Sequence, residues 1–399
     1  MSVLRRIPVA TIVVAQLFGT SLWFSPNSAA DDLVRAWSLS LPQWGQLTSV
    51  VQVGFIVGTL LLATSGLADR FSASRIFAIS CVLGAFFNAV FALAPVGFEQ
   101  ALLLRFTVGV CLAGIYPLGM KMVIAWSKDS TGNTLGLLVA MLTLGTSLPH
   151  AIRAAGGDLS WQGTVLASSV LALAGAAAVF LLGDGPYLQR AAARRTVRWG
   201  EAFMVFKNPA FRASALGYFG HMWELYAFWT VVPFLVRSAV QHSDIVASAQ
   251  PRLVSMLSFV VIAVGAIGCI LAGKLSKRFG SPRVAAAALA VSGTMCFLYP
   301  LVSQAGLALC VVALVVWGMS VIADSAQFSA IAAKTCPPET VGSALAIQNS
   351  VGFFVTVLSI TLVTSCMEQM GTAVAWLLLP GPVIGLLFFR PFLTRQHVD

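Results

Sequence analysis

Glu224 lies in the middle of a long apolar stretch, where an ionised carboxylate is costly and needs a partner or a function. Tyr218 and His221 precede it at intervals of three residues, so the three side chains form one stripe on a helix. A carboxylic acid in this position can take up or release a proton according to the side from which water reaches it, and histidine titrates near neutral pH. The stripe predicts proton coupling, and a buried Glu–Arg pair with a purely structural role is the alternative.

Asp324 lies in another apolar stretch, on one helical face with Trp317, Ser320 and Gln327. We predict that it shares the proton-coupling role with Glu224 and His221, and a role at an intracellular helix end is the alternative. A comparable stripe near the amino terminus holds Gln16, Thr20, Trp23 and Asn27. Such polar and aromatic stripes favour a water-filled cavity, although hydrogen bonding between neighbouring helices would also account for them.

Arg105, His150 and Arg153 are further ionisable residues within apolar stretches. His150 and Arg153 are three residues apart and therefore share a helical face. Two buried arginines and a histidine favour an anionic solute such as a carboxylate. The alternatives are that Arg105 only pairs helices and that Arg153 extends to the membrane surface. The residues predicted to contact substrate or line a central cavity are Gln16, Trp23, Asn27, Arg105, Tyr116, His150, Arg153, Tyr218, Trp223, Tyr226, Trp317 and Gln327.

The elements that must position these residues are membrane helices. The 399 residues are 58% hydrophobic and only 10% charged, whereas soluble domains carry about 25% charged residues. Continuous apolar runs of about 20 residues predict helices that cross a bilayer, rather than the alternating strands of a barrel. The twelve predicted spans are residues 7–27, 46–66, 76–96, 100–123, 133–155, 161–183, 209–236, 253–274, 284–302, 305–329, 341–365 and 371–391.

The net charge of +10 is a topology signal. Most of the 24 lysines and arginines fall on one side of the predicted spans, and Arg35, Arg237 and Arg252 fall on the other. This bias predicts that both termini are cytoplasmic. The basic side is expected to attract anionic lipid, so nucleic acid is not needed to explain the charge. We expect a multi-pass protein of a bacterial inner membrane.

A basic turn occurs twice in the chain, at residues 65–75 and 273–283. Leu67, Arg70, Phe71 and Arg75 of the first copy recur as Leu275, Arg278, Phe279 and Arg283 of the second. The duplication predicts two equivalent bundles of six helices, residues 1–184 and 209–399, joined by a basic cytoplasmic linker at residues 185–208. Two such halves can move about a site between them, which is the usual construction of a secondary transporter.

The six-plus-six arrangement, the basic linker and the repeated turn resemble the Major Facilitator Superfamily. Its turn signature, Gly-x-Leu-Ala-Asp-Arg-x-Gly, is matched at Leu67, Ala68, Asp69 and Arg70, while serines 65 and 72 stand at the two glycine positions. The resemblance implies an all-α fold of twelve membrane helices whose first, fourth, seventh and tenth spans line the cavity. It also implies a cytoplasmic gate formed by Asp69, Arg70 and Arg278, and a solvated turn that only sets the topology is the alternative.

Two motifs of the superfamily's antiporters are matched only in part. Arg105 is followed by Gly109, as in the span-four motif linked to proton transfer, but Val108 replaces the polar residue before the glycine. The span-five pattern Gly-Pro-x-x-Gly-Gly is missing from residues 145–150. Its absence argues against a drug/proton antiporter.

The sequence thus predicts a proton-coupled secondary transporter that moves a small polar, anionic solute by alternating access, as a monomer without a cofactor. An exporter of amphipathic or drug-like compounds is the first alternative, supported by several tryptophans in the spans. A transition-metal importer with methionine ligands and a membrane receptor that does not transport are the others. The sequence contains neither a phosphate-binding loop nor room for a catalytic domain, so nothing in it indicates an enzyme. The tryptophans that support the exporter alternative are Trp23, Trp223, Trp229 and Trp317. The candidate ligands that support the metal-importer alternative are Met120, Met122, His221, Met222 and Met319.

Overall fold

The computed structural model describes residues 3–94, 97–127, 132–156, 159–187, 204–336 and 341–394. Within these ranges every regular element is helical and no β-strand is present. The helices pack into two compact units, Met1–Thr196 and Val197–Asp399. The four arginines of the predicted linker, at positions 190, 194, 195 and 198, lie outside the described ranges, so the boundaries of the linker stay a prediction.

The first unit contains nine α-helices in the described ranges, of 4 to 25 residues. Its α-helices are α1 Pro8–Thr20, α2 Ala30–Trp37, α3 Leu41–Ser65, α4 Leu67–Arg70, α5 Ala73–Leu93, α6 Phe98–Ala113, α7 Tyr116–Trp126, α8 Gly132–Ala155 and α9 Trp161–Leu182.

The second unit contains α10, which at 33 residues is the longest helix in the described ranges. Its α-helices are α10 Pro209–Gln241, α11 Gln250–Phe279, α12 Ser281–Val302, α13 Leu307–Ser320, α14 Ser325–Thr335, α15 Val341–Met370, α16 Pro380–Phe389 and α17 Pro391–Thr394.

Nine helical stretches in the described ranges are long and apolar enough to cross a membrane. The shorter α1 is also apolar, and α10 has the length of a span but carries His221 and Glu224. An all-helical membrane fold is therefore established, while the count of twelve spans and the cytoplasmic position of both termini stay predictions.

The two units repeat one internal packing pattern. In the first unit α1 packs against α8 and α9, α3 against α6, and α5 against α9. In the second unit α10 packs against α15 and α16, α11 against α13, and α12 against α16. The same order of neighbours in both units is what the duplicated basic turn predicts.

Four predicted spans are not continuous α-helices. The last of them, residues 371–391, begins as a 3-10 helix, Gly371–Leu377, and is α-helical from Pro380. The other three are interrupted by irregular segments. The span at residues 7–27 is helical only to Thr20, the span at 100–123 is broken at Gly114, and the span at 305–329 is broken after Ser320. Irregular backbone at membrane depth persists only where protein or water satisfies its polar groups. The segments at these breaks are buried, so side chains from other helices can supply the missing hydrogen bonds.

Glycines set the close approach of α3 to α6 and of α11 to α13. A Cβ added at Gly109 of α6 would lie 2.1 Å from the carbonyl oxygen of Val51, and one at Gly318 of α13 would lie 1.8 Å from that of Val261. Small residues at membrane-helix contacts let backbones meet at such distances. Gly109, which the sequence places four residues after Arg105, therefore has a packing role.

Gly318→Ala is expected to destabilise the second unit by about 1–3 kcal/mol, because α11 and α13 must move apart to admit the methyl group. Gly273 in α11 is the matched control, since a Cβ there meets nothing within 4 Å. Gly273→Ala is expected to leave stability unchanged or to raise it slightly. Thermal unfolding of the two purified variants measures the difference, and equal melting temperatures would contradict the packing role of Gly318.

Candidate functional site

Glu224 is fully buried in α10 and is held by three hydrogen-bond donors from two other helices. The indole Nε1 of Trp317 in α13 donates to Oε1 at 2.6 Å. The hydroxyl of Ser292 and the thiol of Cys296, one turn apart on α12, donate to Oε2 at 2.8 Å and to Oε1 at 3.3 Å. No lysine, arginine or histidine in the described ranges forms an ion pair with this carboxyl group.

The surroundings of Glu224 accommodate both the ionised and the protonated acid. The Ser292 hydroxyl also lies 3.1 Å from the carbonyl oxygen of Leu289 and can donate there instead. When it does so, its lone pairs are free to accept a hydrogen bond from a protonated Glu224. The carboxyl group can therefore gain or lose a proton without leaving a buried polar atom unpaired. The alternative of a structural Glu–Arg pair does not describe this site, because the residues around Glu224 carry no positive charge.

His221 and Asp324 form a second buried pair, one turn from Glu224 along α10. Nδ1 of His221 lies 2.8 Å from Oδ1 of Asp324, within ion-pair distance but without the alignment of a hydrogen bond. Both side chains are almost completely buried. Nε2 of His221 and Oδ2 of Asp324 have no hydrogen-bond partner in the described ranges. His221 therefore faces Asp324, whereas the sequence stripe suggested that it shares a proton with Glu224.

Both acidic groups are positioned by the antiparallel packing of α10 against the interrupted span of α13 and α14. Trp317 lies near the end of α13 and reaches Glu224, and Asp324 lies in the buried turn before α14 and reaches His221. Gln327 is buried in the first turn of α14. The break in this span thus provides the position from which Asp324 meets His221.

Aromatic rings surround the two pairs. Phe228 stacks on Trp317 with ring centroids 4.4 Å apart. Tyr218 lies 5.9 Å from the ring of His221, and Tyr226 lies 5.3 Å from Phe353 of α15. Trp223, also predicted for the cavity, is half-buried and donates to the carbonyl oxygen of Leu377 at 2.9 Å. Phe228 and Tyr218 thus pack directly against Trp317 and His221.

Arg105 of α6 is fully buried and binds the irregular segment after α1. Its guanidinium donates to the carbonyl oxygens of Leu22 and Trp23, the latter at 2.6 Å, and to Oδ1 of Asn88 at 3.0 Å. Its Nε has no partner in the described ranges, and none of the groups it contacts is an acid. The geometry favours the alternative in which Arg105 joins helices, since it satisfies backbone groups that the end of α1 leaves open.

Arg153 of α8 is already paired with an acid. It forms a salt bridge with Asp32 of α2, and Asp32 also binds Arg35 at 2.6 Å. Burial raises the pKa of the Asp32 carboxyl, but the hydrogen bonds from Arg153 and Arg35 outweigh burial and hold that pKa below its ordinary value of 3.8. His150, one turn earlier on α8, is buried with an unpartnered Nε2 in the part of the chain that the structure describes. His150 therefore retains more capacity to bind a solute than Arg153.

The polar stripe of the first span is divided between paired and unpaired side chains. Trp23 donates to Gln52 at 3.2 Å, and Asn27 donates to Thr48 at 2.9 Å. Gln16 is completely buried, and neither amide atom has a partner among the described residues. Gln16 packs closely against Gly119 of α7, since a Cβ added at Gly119 would lie 1.7 Å from Oε1 of Gln16. Tyr116, half-buried, begins α7 just after the break in the fourth predicted span.

The predicted gate residues belong to turns of different form. Gly66, with φ 66°, ends α3 before Arg70, whereas α11 continues to Phe279 and Gly280 has φ 83°. Arg70 and Arg278 are exposed, and the side chain of Asp69 lies outside the described part of the structure. The role of these residues as a gate stays a prediction.

Several partners of the site were missed by reasoning from the sequence. Ser292 and Cys296 lie four residues apart on α12, and this spacing places a hydroxyl and a thiol on one face. Asn88, a single amide in an apolar helix, also donates to Ser169 and to the carbonyl oxygen of Val165. An isolated amide at such a position is a detectable signal, because a polar group in a membrane helix needs a partner.

An all-helical chain with long apolar spans, broken helices and buried ionisable groups defines a multi-pass membrane protein of the transporter class. The family model of the Major Facilitator Superfamily matches residues 10–360, and the chain belongs to that superfamily of transporters for small molecules.

Relatives and solved structures agree with this assignment. The crystal structure of the nucleoside transporter NupG has a TM-score of 0.72 at 14% identity and covers 97% of this chain and 99% of its own. A bacterial homolog of the human lysosomal transporter Spinster, in an inward-facing and occupied conformation, has a TM-score of 0.71 at 16% identity and covers 100% of both chains. The niacin transporter NiaP of Acinetobacter baylyi is 32% identical over 91 residues, which span only 23% of this chain and 20% of NiaP.

Proposed function

We propose that this transporter is a proton-coupled secondary carrier of a small polar, anionic solute, working by alternating access in a bacterial inner membrane. The observation that carries the proposal is the arrangement at Glu224, a buried carboxyl group with three neutral donors and no cationic partner among the described residues. A membrane-embedded carboxylate without a counter-charge is neutralised most directly by a proton.

The second acidic pair supports the same assignment. His221 and Asp324 are buried one helical turn from Glu224 and leave two polar atoms unpartnered among the described residues. Acids and a histidine within one cluster let a proton move between sites as the hydration of the cluster changes. Proton movement through Glu224 and Asp324 would then drive the solute against its gradient.

The anionic substrate class rests on the first unit. Nε2 of the buried His150 has no hydrogen-bond partner in the described ranges. Arg105 joins helices through its hydrogen bonds, but it also adds a positive charge that no described acidic side chain neutralises. Arg153 contributes less, because Asp32 already neutralises it. The short match to a niacin transporter is consistent with this class, since niacin is a small carboxylic acid.

The proposal is tested with purified protein in liposomes that contain a trapped pH-sensitive dye. Niacin and related small carboxylates are added outside, and nicotinamide serves as the uncharged match to niacin. Coupled uptake is expected to acidify the lumen for at least one carboxylate and not for the amide. A protonophore is expected to abolish the change in pH.

Two results would contradict the proposal. Solute uptake without any accompanying proton movement would remove the coupling. The exporter alternative would be favoured if ethidium, an amphipathic cation, drives proton flux and none of the carboxylates does.

A further inference from the structure

A groove of about 540 Å³ runs along the second unit where α11, α12 and α13 meet. Leu271, Leu275 and Phe279 of α11 line it and are each more than 40% exposed. Ala272 and Ala323 are buried at its floor, where their small side chains leave the space open. The volume is that of a small-molecule site, about 300–1,000 Å³, and the walls are apolar.

The groove has positive charge at one end. Arg283, in the first turn of α12, is exposed and is the charged residue of the lining. Lys274, Lys277 and Arg278 are exposed on the last turns of the neighbouring α11. The sequence contains no acidic residue between Asp244 and Asp324. This end of the groove is therefore suited to an anion, and its basic residues place it on the predicted cytoplasmic side.

We propose that the groove binds one anionic phospholipid of the cytoplasmic leaflet. An acyl chain lies along Leu271, Leu275 and Phe279, and the phosphate pairs with Arg283. A lipid chain is already in hydrocarbon before it binds, so the groove adds packing contacts and little hydrophobic free energy. Selection among lipids with the same chains then comes from the headgroup, through charge-assisted hydrogen bonds to the guanidinium.

The position of the groove connects this lipid with the interrupted tenth predicted span. Met319 and Ala323 line the groove, and Asp324, the partner of His221, follows Ala323 directly. A chain in the groove would pack against the turn that presents Asp324. The bound lipid is thus a structural partner of that turn and is distinct from the transported solute.

The test uses the purified full-length protein, stripped of lipid in a neutral detergent, and native mass spectrometry to measure bound lipid. Dioleoylphosphatidylglycerol is compared with dioleoylphosphatidylcholine, which has the same chains and no net charge. The wild type is expected to prefer phosphatidylglycerol. Arg283→Gln is expected to weaken phosphatidylglycerol binding about fivefold, the equivalent of about 1 kcal/mol for one basic residue near the surface, and to leave phosphatidylcholine unchanged.

Matched variants separate the groove from the general positive charge. Arg75 is the repeat counterpart of Arg283 and is also exposed, and Arg75→Gln is expected to leave binding unchanged. Ala287 is exposed and lines the groove, so Ala287→Phe is expected to lower the binding of both lipids. Ala290→Phe, at an exposed position of α12 outside the lining, is the control for added bulk.

Four outcomes would overturn the proposal. The first is equal binding of the two lipids by the wild type, and the second is an equal loss of phosphatidylglycerol binding in Arg283→Gln and Arg75→Gln. The third is undiminished lipid binding by Ala287→Phe, and the fourth is displacement of the lipid by soluble glycerol 3-phosphate. The last outcome would indicate a site for a soluble phosphate. If Ala287→Phe is not monodisperse in gel filtration, the comparison of Arg283→Gln with Arg75→Gln decides alone.

Discussion

Glu224→Gln is expected to lower solute-driven proton flux by at least about 100-fold, the usual scale for removal of a group that transfers a proton. Glutamine has nearly the same shape, and its amide oxygen can accept the hydrogen bond from Trp317. Its amide nitrogen can donate to the Ser292 hydroxyl, which can donate to the carbonyl oxygen of Leu289 instead. It cannot take up or release a proton in the physiological range. The variant should therefore fold and bind solute while losing coupling.

The measurement is acidification of the liposome lumen, together with exchange of labelled against unlabelled solute across the same membrane. Exchange is expected to continue in Glu224→Gln, because it needs no net proton movement. Glu368→Gln is the matched control, since Glu368 is an exposed acid in the same unit. Unchanged proton flux in Glu224→Gln would show that the proton uses another group and would leave the His221–Asp324 pair as the next candidate.

Arg105→Met is expected to lower the stability of the first unit by about 3 kcal/mol. The change removes the guanidinium hydrogen bonds to the buried carbonyl oxygens of Leu22 and Trp23 and to Oδ1 of Asn88. The hydroxyl of Ser25 still donates to Leu22 and to Asn88. Each buried acceptor left unpaired costs about 1–3 kcal/mol. At about 2–4 °C for each kcal/mol, the melting temperature should fall by about 6–12 °C.

Arg105→Lys is expected to recover only a small part of this loss, because one ammonium group cannot reproduce a planar guanidinium that joins two carbonyls and Asn88. Arg35→Lys is the control, since the pair of Arg35 with Asp32 is exposed and should contribute less than about 1 kcal/mol. Thermal unfolding of the purified variants measures both changes. A normal melting temperature combined with lost solute binding would instead assign Arg105 to substrate recognition.

The sequence predicted the membrane helices better than their interruptions. Apolar runs at residues 100–123 and 305–329 predicted continuous spans, and the structure breaks both. The break in the second run occurs between Ser320 and Ser325 within a mainly apolar segment, so hydropathy did not reveal it. Pro149 and Pro233 lie inside continuous helices, so a proline alone does not mark a break.

The candidate site shows the same division between local and distant information. Helical periodicity placed Tyr218, His221 and Glu224 on one face of a single helix, because positions three residues apart are neighbours wherever a helix forms. It did not identify Ser292, 68 residues from Glu224, or Trp317, 93 residues from it, as hydrogen-bond donors. Trp317 and Asp324 were selected as residues, but their separate pairing with Glu224 and His221 was not predicted.

The sequence by itself determined that this chain is a helical membrane protein with an internal repeat and with ionisable groups buried in its spans. Composition and periodicity suffice for these features, since a helix satisfies its backbone within its own segment. Only the tertiary structure decided that Arg105 binds carbonyl groups, that Asp32 neutralises Arg153, and that Glu224 has no cationic partner in the described part of the chain. These contacts join segments far apart in the chain, and they depend on the register with which the helices pack, which no local pattern specifies.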